Sequence, residues 1–230
     1  MYLGFDQIID GGPWYAETHV TNQIIVEPWN AFSSLAIAAP AIYFLWKIRA
    51  SPLKFKFLLF CIPILFLNGI GSTLFHGLRT SNYLLLMDYL PAFALTLSIT
   101  IYLWYKVLSK WWMVIFTVGP LFILRLIAAE YFSGALGMNL SYIIGGIAFL
   151  LPFLLILRKY QYQKSLNVFL AVLCFILAIY FRGADKEFTN IIPFGTHFLW
   201  HIFTGIGAYY LADYLYFLRK KELSQQIDQL

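Results

Sequence analysis

Gly195-Thr196-His197-Phe198-Leu199-Trp200-His201 stands near the start of the last long apolar run of the chain, residues 193–218. A helix needs about 20 residues to cross the hydrocarbon of a bilayer, and this run is long enough. Ionisable side chains at such a depth are costly and mark function by default. The 230 residues contain four histidines, and two of them stand here one helical turn apart. Residues i and i+4 share one helix face, so the two imidazoles are placed to bridge a metal ion. The competing reading is a pair of histidines satisfied by hydrogen bonds inside a helix bundle. Further ligands elsewhere in the chain decide between the two.

Outward from this stretch, the composition sets the solvent. Hydrophobic residues make up 61% and charged residues 12%, and the mean hydropathy is +0.73. A soluble domain is about a quarter charged, so the chain reads as a multi-pass membrane protein. Apolar runs at 28–48, 55–78, 83–105, 111–130, 138–157, 166–182 and 193–218 predict seven spans. In lipid a single span of this length must satisfy its backbone as a helix. The expected fold is therefore an all-α membrane protein, a seven-transmembrane helix bundle. Residues 1–26 form a polar external loop or short surface helix, 27–218 the membrane domain, and 219–230 a tail. Cys61 and Cys174 lie in apolar runs, so no disulfide framework is expected. The first 26 residues lack a basic stretch followed by an apolar one and predict no cleavable signal peptide. Pro28 and Pro193 suit first-turn positions of spans one and seven.

Loop charges orient the bundle. Lys47, Arg49, Lys54, Lys56, Lys106, Lys110, Arg158, Lys159, Lys164, Arg219, Lys220 and Lys221 all fall on one side of a seven-span arrangement. By the positive-inside rule that side is cytoplasmic, with the N-terminus outside and the C-terminus inside. The net charge of +5 thus reflects topology, and no nucleic-acid partner is expected. Asp6, Asp10, Glu17, Glu27, Glu130, Asp185 and Glu187 gather on the outer side.

With this orientation the polar residues converge. Asn68, Ser72 and His76 form a stripe at i, i+4 and i+8 near the outer end of span two. Taken singly, Asn68 suits an interhelical hydrogen bond, and Ser72 a back-bond to its own helix. Asp88 lies among leucines early in span three, where it is either a functional carboxylate or a cap for a helical segment restarted at Pro91. Ser72, His76, Asp88, His197 and His201 then share one depth beneath the outer interface. Three neutral imidazoles with one open position make a catalytic zinc site. Asp88 is left to orient a ligand or accept a proton. Thr204, Gly205 and Ala208 continue the face of His201, as a close-packing surface or as room for an acyl chain. Arg125, within span four, reads as a structural cation that snorkels or pairs with Asp185 or Glu130. Arg182 and Asp185 suit an ion pair in the loop before span seven.

Other chemistries fit poorly. The last span holds no lysine for a retinal Schiff base, and Phe198-Leu199 replaces the Glu expected after His in a His-Glu-x-x-His protease motif. No inverted repeat of the kind many transporters carry is visible.

The residues resemble the alkaline ceramidases, a family of seven-span membrane hydrolases related to adiponectin-receptor-like proteins. The resemblance rests on Glu27-Pro28-Trp29-Asn30, Gly71-Ser72-Thr73-Leu74-Phe75-His76, Met87-Asp88-Tyr89-Leu90-Pro91 and Gly195 through Gly205, in order across essentially the whole chain. The Gly-Thr-His-Phe-Leu-Trp-His wording is similar to the bacterial branch, which implies a bacterial inner membrane. The resemblance implies zinc held by His76, His197 and His201, with Ser72 and Asp88 as catalytic neighbours. It implies a ceramide-like membrane lipid as substrate, cleaved to a fatty acid and a sphingoid base. A lipid receptor with a structural zinc, or a hydrolase of another lipid amide or ester, would use the same scaffold. The resemblance also implies a calcium site near the N-terminus, with Glu17, His19 and Glu27 as candidate ligands. There the chain departs from the family pattern: Trp14 or Pro13 replaces an Asp, and His19 stands in the place of an Asn.

Overall fold

The computed structural model describes residues 10–19, 25–132 and 134–228. Among the described residues there are seven α-helices and no strand: α1 Pro28–Ile48, α2 Lys56–Leu78, α3 Asn82–Leu108, α4 Trp111–Tyr131, α5 Gly134–Lys159, α6 Ser165–Gly183 and α7 His197–Ile227. Each apolar run corresponds to one helix. The helical segments of α1, α2, α3, α4 and α6 are long and apolar enough to cross a membrane. Pro28 occupies the first turn of α1, as its fixed φ favours. Pro40, Pro63, Pro91, Pro120 and Pro152 all lie inside helices. Because α3 continues through Pro91, Asp88 does not cap a new segment.

The seventh helix departs from its predicted bounds at both ends. It begins at His197, and Pro193 stays in the preceding turn. Gly195 adopts φ +72°, where a side chain is strained, and a Cβ there would lie 2.2 Å from Asp185 Oδ1. At the other end α7 runs to Ile227, so most of the expected tail is helix.

The chain forms two compact units, Met1–Phe93 with Leu166–Leu230, and Ala94–Ser165. In the first, α1 packs along both α2 and α7. Gly205 shows how closely: a Cβ on it would fall 2.2 Å from the Ala36 carbonyl oxygen. This close approach favours the packing reading of Gly205 over the acyl-chain reading. Asn68 donates to the main-chain carbonyl of Asp88 and ties α2 to α3. Near the end of α1, Lys47 donates to Asp213 Oδ1 at 2.7 Å, and Asn167 donates to Asp213 Oδ2 at 2.8 Å. These bonds join α1, α6 and α7.

In the second unit α4 packs against α5. Trp104 of α3 is buried with Val114 and Val118, and its indole donates to the Ala148 carbonyl at 2.9 Å. Arg125 donates to Ser141 Oγ at 3.1 Å, a partner on α5.

The described part of the N-terminal segment is solvated only in part, at Gly11, Pro13 and Trp14. Asp10, Tyr15, Ala16, Glu17 and Thr18 are all buried. Glu17 explains part of this: its two carboxylate oxygens accept the main-chain N–H groups of Trp29 and Asn30, at 2.6 and 2.9 Å. A residue distant in sequence thus satisfies two of the open N–H groups at the start of α1.

Candidate metal centre

Two helices bring the ligands together. Ser72 and His76, one turn apart, lie on α2, and His197 and His201, one turn apart, open α7. Packing of both helices on α1 closes the cluster. His76, His197 and His201 are buried, with one ligand atom from each lying within 4.8 Å of the others. Their ring centroids are 5.2, 4.9 and 4.7 Å apart for 76–197, 76–201 and 197–201. His76 completes, with the pair on α7, a group of three that could hold a metal ion.

Hydrogen bonds orient two of the rings. Glu27 Oε2 takes the Nδ1 side of His76, which leaves Nε2 buried without a partner among the described residues. Ser33 donates to the Asn30 carbonyl at 3.1 Å, so its oxygen is free to accept from His201 Nδ1 at 2.9 Å. Ser34 Oγ lies 3.3 Å from the same nitrogen. Both arrangements place the proton on Nδ1 and leave the Nε2 lone pair available. On the third ring Nδ1 is the buried atom without a partner among the described residues. Tyr15 stacks on this ring, His197, with centroids 3.8 Å apart. Buried polar atoms are almost always hydrogen-bonded. Unpartnered nitrogens on His76 and His197, with a carboxylate behind His76 and hydroxyls behind His201, form a donor set that suits a divalent metal.

The start of α7 is set by Asp185. Its Oδ1 accepts the N–H groups of Thr196 and His197, each at 2.8 Å, and its Oδ2 accepts from Ala16 N at 2.8 Å. Asp185 is therefore the cap of the helix that carries His197 and His201, not the ion-pair partner expected for Arg182. Arg182 instead lies over the Trp200 ring, 4.9 Å from its centroid. An anion at an open helix N-terminus meets several N–H groups at once, which an exposed guanidinium cannot match.

Ser72 is fully buried and lies 3.0 Å from Ser34 Oγ. It is therefore bonded across to α1 rather than back to its own helix. Asp88 stands half-buried on α3, outside the three-histidine cluster. Its charge is felt at Tyr15, the residue stacked on His197.

A family model described as Ceramidase matches residues 14–230. The chain belongs to the ceramidase family. No curated protein matches the sequence. Membership implies a hydrolase of lipid amides, and the apolar helices place this ceramidase homologue in a membrane.

Several site residues escape a reading based on spacing. Ser33 and Ser34 reach His201 from α1. Arg79 is buried among Asp10, Thr18 and Glu27. One signal for Arg79 lies in the sequence: a cation three residues after His76, on the side rich in carboxylates.

Of the calcium ligands implied by the resemblance, the two carboxylates are already engaged by protein donors in this arrangement. Calcium takes six to eight oxygen ligands. Glu17 is committed to the α1 N-terminus. Glu27 accepts from Thr18, Asn30, His76 and Arg79. The side chain of His19 lies outside the described residues.

Proposed function

We propose that this ceramidase-family protein hydrolyses the amide bond of a ceramide-like lipid at a zinc ion held by His76, His197 and His201. The observation that carries this reading is the buried cluster of three imidazoles, in which His76 Nε2 and His197 Nδ1 have no partner among the described residues. Zinc when bound would act as a Lewis acid and lower the pKa of water from 15.7 to about 7.

The chain's own residues would do the rest. Glu27 and Ser33 hold His76 and His201 in the tautomer that presents Nε2. Ser34 gives its proton to the Asn30 carbonyl at 2.7 Å, so Ser72, 3.0 Å from Ser34 Oγ, holds its own proton and would turn it to the developing amide oxyanion. Asp88 accepts the proton of the attacking water and delivers it to the leaving nitrogen. Products would be a fatty acid and a sphingoid base. Burial of the cluster excludes bulk water, and a membrane setting suits a substrate and products that all reside in lipid.

The test is to incubate purified protein with a panel of N-acyl lipids and detect the released amine. Release should stop with a zinc chelator and return with added zinc. His76→Ala and Asp88→Asn should each abolish turnover. Full activity in either variant, or no amine from any N-acyl lipid, would rule the mechanism out.

A further inference from the structure

The acidic cluster beside the metal centre already contains a cation, and it is part of the chain. Arg79 ends α2 in the left-handed conformation, φ 48° and ψ 39°, which non-glycine residues rarely adopt. This turn directs its side chain inward, and the residue is 1% exposed. Nε and Nη2 donate to the two oxygens of Asp10, at 2.5 and 3.1 Å, a bidentate pair. Nη1 donates to Glu27 Oε1 and lies 3.4 Å from Thr18 Oγ1. The other oxygen of Glu27 meets His76 Nδ1. A single guanidinium therefore connects the N-terminal segment to a residue of the metal centre.

We propose that Arg79 supplies, as a fixed side chain, the positive charge that the family resemblance assigns to calcium, so that this protein needs no calcium and Arg79 positions His76 through Glu27. All six carboxylate oxygens of Asp10, Glu17 and Glu27 accept hydrogen bonds from protein donors. A calcium ion would have to displace several of these donors and sit beside a buried like charge. The Asn30 side-chain oxygen is buried and without a partner among the described residues, but one neutral oxygen does not make a calcium shell. Arginine keeps its proton at any working pH. The charge it supplies is therefore permanent and cannot be removed by a chelator.

The positioning role rests on the three-histidine zinc reading; the calcium claim does not. Purified protein in lipid nanodiscs, freed of bound metal and reloaded with zinc, is titrated with calcium, while Tm and zinc affinity by chelator competition are followed. Wild-type Tm and zinc affinity should stay constant across the titration. Arg79→Met should weaken zinc binding about 10–100-fold, the range for loss of a group behind a metal-ligating histidine. It should also acquire a calcium-dependent rise in Tm, because the cluster then lacks its cation. Arg79→Lys should recover part of the zinc affinity, restoring the charge without the planar fork. Should Arg79→Met fail to fold, Arg79→Lys and Asp10→Asn carry the test, each binding zinc more weakly than wild type. A saturable rise of wild-type Tm with calcium overturns the calcium claim. Zinc affinity equal to wild type in the variants overturns the positioning role. Wild-type protein that binds no zinc overturns the proposed metal centre, and the calcium titration still decides the first claim.

Discussion

Tyr15 covers the metal centre with a ring rather than a charge. Burial first, and then the nearby carboxylates of Asp88 and Glu27, raise its pKa and keep the phenol neutral. Its contact with His197 is a stacked pair, worth about 1 kcal/mol beyond area burial. Tyr15→Phe should therefore leave zinc affinity unchanged, whereas Tyr15→Ala should weaken it about fivefold; similar affinities for the two variants in chelator competition would remove the stacking role. Glu17 carries a pH dependence. Burial pushes its carboxyl from the ordinary 4.5 up to about 7, against the two main-chain N–H bonds that pull it down. A folded-state pKa above the unfolded one means that the native protein holds the proton more tightly. That stabilisation is complete below the unfolded value of 4.5 and is lost as pH rises through about 7. Between about pH 5 and 8, wild type should lose more Tm than Glu17→Gln does. Parallel Tm profiles for the two proteins would contradict a raised carboxyl.

The helix pair α1 and α7 is the element that aligns the centre, because Ser33 lies on one and His201 on the other. Their separation is set where Gly205 meets Ala36, and a Cβ would intrude to 2.2 Å from a carbonyl oxygen there. Gly205→Ala should cost about 1–3 kcal/mol through overpacking. It should also weaken zinc binding, since α1 must shift against the helix that carries His201. Denaturation and chelator competition on the same preparation check both effects, and unchanged zinc affinity at lowered stability would separate packing from ligand alignment. The stop and start of α2 and α7 follow the same logic. Arg79 ends one in a left-handed turn, and the carboxylate of Asp185 begins the other.

For the whole molecule, loop charge supports a topology with the N-terminus outside and the basic loops in the cytoplasm. Lys54 and Lys110 are exposed, as is Lys186 in the loop before α7. Cysteines placed at Lys54 and Lys110, in a background lacking the buried Cys61 and Cys174, should react with an impermeant thiol reagent only from the cytoplasmic face. A cysteine at Lys186 should react only from outside. Labelling of all three from one face would refute the topology and, with it, the placement of the metal centre near the outer surface.

Seven helices were legible in the sequence because apolar length is a local property, and a bilayer makes helix the only economical form for each run. The three histidines were legible for a related reason: one-turn spacing on α7, and a polar stripe on α2, need no knowledge of packing. Their convergence in one buried cluster is what the structure adds. The arrangement behind those ligands was not legible. Glu27 meets Arg79 across 52 positions, Ser33 meets His201 across 168, and Asp185 reaches Ala16 across 169. Periodicity reports which face a residue occupies, and it carries no information on which distant residue occupies the facing site. The sequence alone therefore determined the helix count and the three histidines that could hold a metal ion. Only the tertiary structure decided that Glu17 caps a helix, that Glu27 supports a histidine, and that Arg79 fills the acidic cluster, because a buried charge is satisfied by whichever partners the packed helices bring within reach.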